Sequence, residues 1–192
     1  MTIDKLEHLM RKISVKIVIC GDYAVGKTTF VLSFIDGDKN LLNEYKPTIG
    51  VDIGRKSFVI EQFNVVFQLW DLSGQQSFKT VRKQFYNRSD GAILIFDVTR
   101  RESFANLKTW LSEITEQTGK IPITLVANKI DLNNRSISNQ EAKAFSTEIT
   151  QITGLETPYI EASAINRQNN LDPFITLGRV LLNNMKEGNL KE

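Results

Sequence analysis

The chain has 192 residues, of which 41% are hydrophobic and 24% charged, a composition that fits one globular domain with a full core of its own. Its 24 basic and 22 acidic residues give a net charge of +2, so charge does not indicate a nucleic-acid partner, and we expect none. Cys20 is the single cysteine, which excludes an intramolecular disulfide and favours a reducing compartment. It ends an apolar run, where we expect it to be buried as a small hydrophobe.

The sequence also shows no signal for insertion into a membrane or for a lipid anchor. No apolar run approaches the length of a membrane-spanning helix, and the N-terminus lacks a signal-peptide core. Thr2 follows the initiator, which excludes myristoylation, and the tail 187–192 has no cysteine to prenylate. We therefore expect a cytoplasmic protein with no covalent membrane anchor. Peripheral association through a partner protein or the N-terminal segment stays open.

Taken in chain order, short β-branched runs alternate with longer helical patterns. Residues 1–13 show helical spacing of apolar residues, and we interpret them as an N-terminal extension. Residues 14–20 (SVKIVIC) predict a strand, and helical spacing begins at Gly26. The stretch 51–71 predicts two strands joined by a turn near residues 62–64. The runs GAILIFDVT and ITLVANKID are typical of central strands that are covered on both faces.

The second half of the chain continues the alternation. Residues 102–117 carry apolar side chains at helical intervals, and residues 171–185 predict the last helix. Ser138 and Glu141 have the spacing of a capping box, and residues 158–163 predict a short strand between the last two helices. This order predicts an α/β fold, with a mostly parallel sheet and helices on both faces. We assign one domain to residues 14–186 and a short tail to 187–192.

The stretch GDYAVGKT lies between the first strand and the first helix, which is the setting that a phosphate-binding loop requires. Gly21 and Gly26 let the backbone wrap with its N–H groups pointing inward, at the positive end of a helix. Lys27 would reach the β- and γ-phosphates, and Thr28 would offer its hydroxyl to Mg²⁺. The predicted phosphate-binding residues here are Gly21, Asp22, Tyr23, Ala24, Val25, Gly26, Lys27, Thr28 and Thr29.

The base is indicated by NKID, which directly follows a central strand, where ligands bind at the carboxyl ends of a sheet. The carboxylate of Asp131 can accept from both the ring N–H and the exocyclic amine of guanine, an arrangement that adenine lacks. Asn128 can brace the loop and the base, and the stem of Lys129 can lie along the ring. The combination with the phosphate loop predicts guanine nucleotides, GTP and GDP.

Two further stretches complete the predicted site. In WDLSGQ, Asp71 can bind the shell of Mg²⁺ through water, Gly74 lets its N–H approach the γ-phosphate, and Gln75 can orient the attacking water. In YKPTIG, Thr48 can ligate Mg²⁺ and sense the γ-phosphate through its backbone. We therefore predict Gln75, Lys27 and Thr48 as catalytic and Thr28, Thr48 and Asp71 as Mg²⁺ ligands.

Together GDYAVGKT, YKPTIGVD, WDLSGQ, LVANKIDL and EASA resemble the five nucleotide-binding motifs of the Ras superfamily of small GTPases, and the flanking residues are most similar to its Rab branch. The resemblance implies a six-stranded sheet with one antiparallel strand and five helices, and two switch regions that GTP orders. It implies that Ser163 and Ala164 help to hold guanine.

The same resemblance implies a monomer that meets effectors, exchange factors and activating proteins through residues 45–53 and 70–86. The aromatic trio that Rab-like proteins present to effectors corresponds here to Ile53, Trp70 and Phe85. For Trp70, core packing at a strand end is an equal alternative.

Two positions depart from the pattern of this superfamily. Tyr23 stands where Ras-like proteins have glycine and many Rab-like ones serine, and its bulk would obstruct an arginine that an activating partner inserts. The alternatives are a ring that swings outward or a hydroxyl that contacts the γ-phosphate. The phenylalanine that usually caps guanine is missing, and Leu41 or Leu42 would cover the base less well. We expect nucleotide to be retained less tightly as a result.

The functions consistent with these motifs fall into two classes. The first is a switch enzyme that binds GTP and GDP with Mg²⁺, hydrolyses GTP slowly and signals to effectors. The second is a GTP-bound scaffold in which Tyr23 impairs hydrolysis. An ATPase or a nucleotide kinase is disfavoured by NKID and by the lack of an arginine-rich lid.

Overall fold

The computed structural model describes residues 10–36 and 48–186. These residues form one sheet of six strands, which are β1 (Arg11–Cys20), β2 (Val51–Ile60), β3 (Phe63–Leu72), β4 (Gly91–Asp97), β5 (Ile123–Asn128) and β6 (Tyr159–Glu161). The order across the sheet is β2-β3-β1-β4-β5-β6. The β2–β3 pair is antiparallel, and every other pairing in this sheet is parallel. This confirms the predicted α/β fold with a mostly parallel sheet.

The helices of the described residues follow the strands. They are α1 (Lys27–Asp36), α2 (Lys79–Arg82), α3 (Arg101–Ala105), α4 (Leu107–Thr118), α5 (Asn139–Thr153) and α6 (Asp172–Lys186), with short 3₁₀ segments at Gln76–Phe78 and Lys83–Phe85 on either side of α2. The capping box at the start of α5 is confirmed, since Ser138 Oγ accepts from the Glu141 N–H at 3.2 Å and Glu141 Oε2 accepts from the Ser138 N–H at 2.9 Å.

Some predicted boundaries were wrong. β1 begins at Arg11, three residues before residue 14, because Arg11–Ile13 continue the parallel ladder with β3. Residues 11–13, whose apolar spacing suggested a helix, are therefore part of a strand. Residues 1–9 lie outside the described part of the chain. The predicted turn at 62–64 is a two-residue turn at 61–62, and the helix predicted over 102–117 is divided at Asn106 into α3 and α4. With that division, the described residues contain six helices where five were expected.

The core has two layers, one on each face of the sheet. Alternate residues of β1 point to opposite faces: Ile17 and Ile19 pack with α1 and α6, whereas Val18 and Cys20 pack with α4 and α5. Every residue of β4 and β5 is buried, as both apolar runs predicted. Cys20 is fully buried as expected, and that burial raises the pKa of its thiol to about 12. No helix within the described ranges is both long and apolar enough to cross a membrane.

Candidate nucleotide-binding site

Because β1, β3, β4, β5 and β6 run parallel, the segments that follow them meet at one edge of the sheet. The loop from Gly21 to Gly26 leaves β1 at this edge and leads into α1. Gly21 has φ 140°, and a Cβ there would lie 2.1 Å from the carbonyl oxygen of Ile95. Gly26 has φ 96°, and a Cβ there would lie 2.5 Å from Asn128 Nδ2. Both positions therefore require glycine.

Lys27 is the first residue of α1, and its ammonium group turns back under the loop. Its Nζ donates to the carbonyl oxygens of Gly21 and Asp22, at 2.8 Å each. Burial lowers the pKa of Lys27 to about 8, because desolvation disfavours the charged amine. A phosphate group at the loop would supply the opposite charge that favours the protonated form.

Three side chains from two other segments hold the backbone of the phosphate loop. Asn128 Nδ2 donates to Val25 O at 2.8 Å, and Lys129 Nζ donates to Ala24 O at 2.8 Å. Arg100 Nη2 donates to Tyr23 O at 2.5 Å. Ala24 and Lys129 both have positive φ, 62° and 68°, conformations that cost energy in non-glycine residues and concentrate at functional sites.

The three predicted Mg²⁺ ligands form one cluster. Thr28 Oγ1 donates to Asp71 Oδ2 at 2.5 Å and lies 2.8 Å from Thr48 Oγ1, which is 3.1 Å from the same carboxylate oxygen. The other oxygen, Asp71 Oδ1, is buried without a hydrogen-bond partner, and burial raises the pKa of this carboxyl. Hydroxyl and carboxylate oxygens are the ligands that Mg²⁺ prefers, so these residues fit the ion.

The cluster of Thr28, Thr48 and Asp71 contains a single carboxylate. In residues 10–36 and 48–186 no group of three or more His, Cys, Asp or Glu side chains could hold a metal ion. A cation at the cluster of Thr28, Thr48 and Asp71 would therefore take its other ligands from water and from the phosphates of a nucleotide, which is the usual way that proteins hold Mg²⁺.

The residues predicted to bind guanine also come together. Asn128 Oδ1 accepts from the Ala164 N–H at 3.1 Å, and Ser163 Oγ donates to Asp131 Oδ1 at 2.5 Å. Lys129 forms an ion pair with Asp97 at 2.7 Å. A cavity of about 240 Å³ lies beside these side chains and is lined by Tyr23, Ala24, Gly26, Thr29, Asn128, Lys129, Asp131, Ala164 and Ile165. Thr29, which the sequence predicts to bind phosphate, also lines this cavity.

A second, much smaller cavity of about 20 Å³ lies on the phosphate side. It is lined by Tyr23, Ala24, Gly26, Lys27, Thr28, Thr48, Leu72, Ser73 and Gly74. Gly74 approaches the phosphate loop so closely that a Cβ there would lie 2.3 Å from the Tyr23 nitrogen. Gln75, the next residue, is half-buried. The two cavities share Tyr23, Ala24 and Gly26, so they adjoin each other at the phosphate loop.

Tyr23 is 45% exposed and lines both cavities. Its side chain therefore stands at the mouth of the site and does not pack into the core. The leucines considered as a cover for the base, Leu41 and Leu42, lie outside the described residues.

The trio expected to meet effectors is contiguous. Ile53 is opposite Trp70 in the β2–β3 ladder, and the rings of Trp70 and Phe85 are 5.9 Å apart. Ile53 is 56% exposed, whereas Trp70 and Phe85 are half-buried. Trp70 also lies under Lys16, whose Nζ is 4.2 Å from the ring centroid. The Trp70 ring therefore packs against its neighbours and is also partly exposed at the surface.

Several residues of the site were not predicted from the sequence. Asp97 pairs with Lys129, and its place at the end of β4 would have suggested it, since polar residues at strand ends line ligand sites. Asn106 and Trp110 both donate to the carboxylate of Asp22, at 2.8 and 2.7 Å. Arg82 holds the carbonyl of Gln75 at 2.9 Å. No sequence pattern marks these three, because helical spacing alone does not show which neighbour a side chain reaches.

A phosphate loop after β1, a hydroxyl–carboxylate cluster beside it and a base cavity after β5, on a sheet of this order, define a nucleotide-binding domain of the P-loop class. The model of the Ras family matches residues 16–183. Since this match spans most of the chain, the chain belongs to the Ras family.

The similarity to individual proteins supports the same family assignment. The chain is 35% identical over 179 residues to the GTP-binding protein YPT1 of Saccharomyces cerevisiae, covering 92% of this chain and 83% of the yeast protein. It is 36% identical over 168 residues to a Ras and EF-hand domain-containing protein homolog of Caenorhabditis elegans and 35% identical to that of Caenorhabditis briggsae. The alignments cover 87% of this chain but only 26% of each nematode protein. The chain is therefore a Rab- and Ras-like, GTP-binding small GTPase.

Proposed function

We propose that this protein is a molecular switch that binds GTP and GDP with Mg²⁺, hydrolyses GTP slowly, and signals through two switch regions at residues 45–53 and 70–86. The observation that carries the proposal is that the two cavities adjoin each other at the phosphate loop. The phosphate cavity and the base cavity share Tyr23, Ala24 and Gly26, and Asn128 bonds to Val25 on one side and Ala164 on the other.

The proposed roles follow from the chemistry of each group. Lys27 and the N–H groups of the loop would neutralise charge that develops on the γ-phosphate, and Gln75 and the backbone of Thr48 would hold the attacking water in line. Asp131 would select guanine, and its orientation would be set by the hydrogen bond from Ser163. Thr28, Thr48 and Asp71 would hold Mg²⁺, which would offset the negative charge of the phosphates.

We also propose that Tyr23 limits how a partner protein can accelerate GTP hydrolysis. Its side chain is 45% exposed and the residue lines both cavities, so it would occupy space through which a partner's arginine would reach the γ-phosphate. Such an arginine is worth roughly 10³–10⁵ in rate. The same observation supports the second candidate function, a GTP-bound scaffold that turns over too slowly to cycle without another means of activation.

Partners and location are also proposals. The exposed Ile53 beside Trp70 and Phe85 suits an apolar contact with an effector protein that recognises the GTP state. We propose that the protein acts as a monomer in the cytoplasm and that membrane association, where it occurs, depends on a partner or on residues 1–9.

The test is single-turnover hydrolysis of Mg²⁺–GTP by the purified protein, with ATP as the specificity control and Tyr23→Gly alongside. We expect slow turnover of GTP, none of ATP, and faster hydrolysis by Tyr23→Gly. GTP that stays intact over many hours in the wild type would favour the scaffold. Hydrolysis that is faster in the wild type than in Tyr23→Gly would contradict the obstruction by Tyr23.

A further inference from the structure

A buried ion pair lies beside the candidate site but has none of the roles assigned above. Arg82 and Glu113 are 1% and 3% exposed. Arg82 Nε donates to Glu113 Oε2 and Arg82 Nη2 donates to Glu113 Oε1, at 3.0 Å each, a bidentate arrangement. Tyr86 OH also donates to this carboxylate, at 3.3 Å. Burying two charges is costly even when they pair, so this arrangement calls for a role beyond stability.

The remaining nitrogen of Arg82 reaches the candidate site. Arg82 Nη1 donates to Ser73 O at 3.3 Å and to Gln75 O at 2.9 Å. These carbonyls belong to the two residues that flank Gly74, whose N–H is predicted to meet the γ-phosphate. Because the guanidinium is a rigid planar fork, fixing two of its nitrogens on Glu113 also fixes the direction of the third.

The same guanidinium is connected to the phosphate loop. Arg82 lies over the ring of Trp110, 4.2 Å from its centroid, and Trp110 Nε1 donates to Asp22 Oδ1 at 2.7 Å. Asn106 Nδ2 donates to the other oxygen of Asp22 at 2.8 Å. Asn106, Trp110 and Glu113 are spaced four and three residues apart, so they share one face of α4 and its N-cap.

We propose that Arg82 is a positioning residue for GTP hydrolysis. Clamped by Glu113 and Trp110, it sets the backbone of residues 73–75 relative to Asp22 in the phosphate loop. Gln75 must hold a water in line with the γ-phosphate, and a displacement of about 1 Å in such a group costs on the order of 10²-fold in rate. The inference rests on the proposed function, because it names the residue that orients the hydrolytic machinery.

The test must separate orientation from folding. Removing Arg82 alone would leave the buried charge of Glu113 with the half-exposed Lys79, 3.7 Å away, and the Tyr86 hydroxyl as its partners. Loss of the bidentate partner of a buried charge is strongly destabilising. The informative variant is therefore the double substitution Arg82→Met with Glu113→Gln, which removes both charges and keeps similar volumes. The matched control is Lys108→Met with Glu148→Gln, which removes a 2.9 Å ion pair between exposed side chains of α4 and α5.

Three quantities are measured on each protein: the melting temperature, the dissociation rate of GDP, and the single-turnover rate of Mg²⁺–GTP hydrolysis. For Arg82→Met with Glu113→Gln we expect hydrolysis to be at least about tenfold slower than in the wild type. We expect the rate of GDP dissociation to stay within about twofold of the wild-type rate, because Arg82 lines neither cavity. Trp110→Phe keeps the ring under Arg82 but loses the donor to Asp22, and we expect a smaller decrease in the same rate.

Equal hydrolysis rates in the wild type and the double variant would overturn the inference, since an ion pair with a purely structural role would change only the melting temperature. Parallel losses of hydrolysis and GDP retention would overturn it too. Failure of the proposed function has a different signature: the wild type itself would bind GTP without turning it over, and hydrolysis would then not be the step that Arg82 serves.

Discussion

Asn128 Nδ2 donates a hydrogen bond of 2.8 Å to the carbonyl oxygen of Val25, and the two residues are 103 positions apart in the chain. The side-chain oxygen of Asn128 accepts from the Ala164 N–H at 3.1 Å. One buried amide thus joins the phosphate loop to the segment beside the base cavity. For the phosphate loop to move away from the segment beside the base cavity, the hydrogen bonds of this amide would have to break. The amide would therefore help to retain a nucleotide that contacts both cavities.

The first prediction concerns this amide. Asn128→Ala removes both hydrogen bonds and leaves a buried carbonyl and a buried N–H unpaired, at a cost of about 1–3 kcal/mol. We expect a lower melting temperature and GDP dissociation that is faster by about tenfold or more. Release of a fluorescent GDP analogue measures the latter. Asn134→Ala, at an exposed position on the following loop, is the control, and equal release rates in both variants would refute the proposed joining role.

The second prediction uses the pKa of Lys27, which burial lowers to about 8. Above pH 8 the nucleotide-free protein loses the Lys27 proton, whereas bound phosphate favours the charged ammonium and raises its pKa. GDP binding should therefore take up a proton above pH 8, and affinity should fall by up to about tenfold per pH unit there. Calorimetry in buffers of different ionisation enthalpy measures the uptake.

Lys27→Arg separates this effect from ionisation of the base. A guanidinium stays protonated throughout this range, so any proton exchange that remains in Lys27→Arg comes from other groups and from guanine. A wild type that takes up no more protons than Lys27→Arg at pH 9 would show that Lys27 does not titrate on binding.

The third prediction concerns the contact between Gly74 and the phosphate loop. A Cβ at residue 74 would lie 2.3 Å from the Tyr23 nitrogen and 2.4 Å from the Asp22 carbonyl carbon, and backbone atoms cannot yield as a flexible side chain would. Gly74→Ala should push residues 73–75 away from the loop. We expect the affinity for a non-hydrolysable GTP analogue to fall at least about tenfold relative to GDP, since overpacking costs about 1–3 kcal/mol.

A second glycine supplies the control for this variant. Gly154 has φ 73° and open space around a Cβ, so Gly154→Ala should cost about 1 kcal/mol of stability through backbone strain. It lies at the end of α5 and should leave the ratio of the two affinities unchanged. A ratio that changes equally in both variants would point to general destabilisation.

The fourth prediction concerns the capping box of α5. Hydrogen bonds from the N–H and hydroxyl of Ser138, with a further contribution from Arg101, lower the pKa of Glu141 to about 2 from an ordinary value of 4.5. The folded pKa is depressed, so this stabilisation is present above about pH 4.5 and is lost as the pH falls towards 2. Wild type should therefore exceed Glu141→Gln in urea midpoint at pH 7, and the difference should shrink between pH 5 and pH 3.

The exposed Glu156 lies outside the capping box, and Glu156→Gln is a suitable control. Its urea midpoint should follow that of the wild type more closely across the same range. A Glu141→Gln deficit that stays constant from pH 7 to pH 3 would mean that the loss arises from packing and not from the charge of Glu141.

The local parts of this molecule were predictable from the sequence alone. The runs at β4 and β5 identify central strands because only apolar residues tolerate burial on both faces. The spacing of Gly21, Gly26, Lys27 and Thr28 indicates a phosphate loop because it encodes backbone geometry and ligand chemistry within eight residues. Element boundaries were less accurate, since β1 starts at Arg11 through pairing with β3 and not through any local signal.

The connections between these parts depended on the tertiary structure. Nothing in the sequence near Arg82 or Glu113 marks them as buried partners 31 residues apart, and charged residues on a helix are normally exposed. The bond from Asn128 to Val25 and those from Asn106 and Trp110 to Asp22 likewise depend on strand order and helix placement. A motif specifies which groups the chemistry needs, whereas long-range packing decides what holds those groups in place, because side-chain contacts across a sheet arise only once the chain has folded.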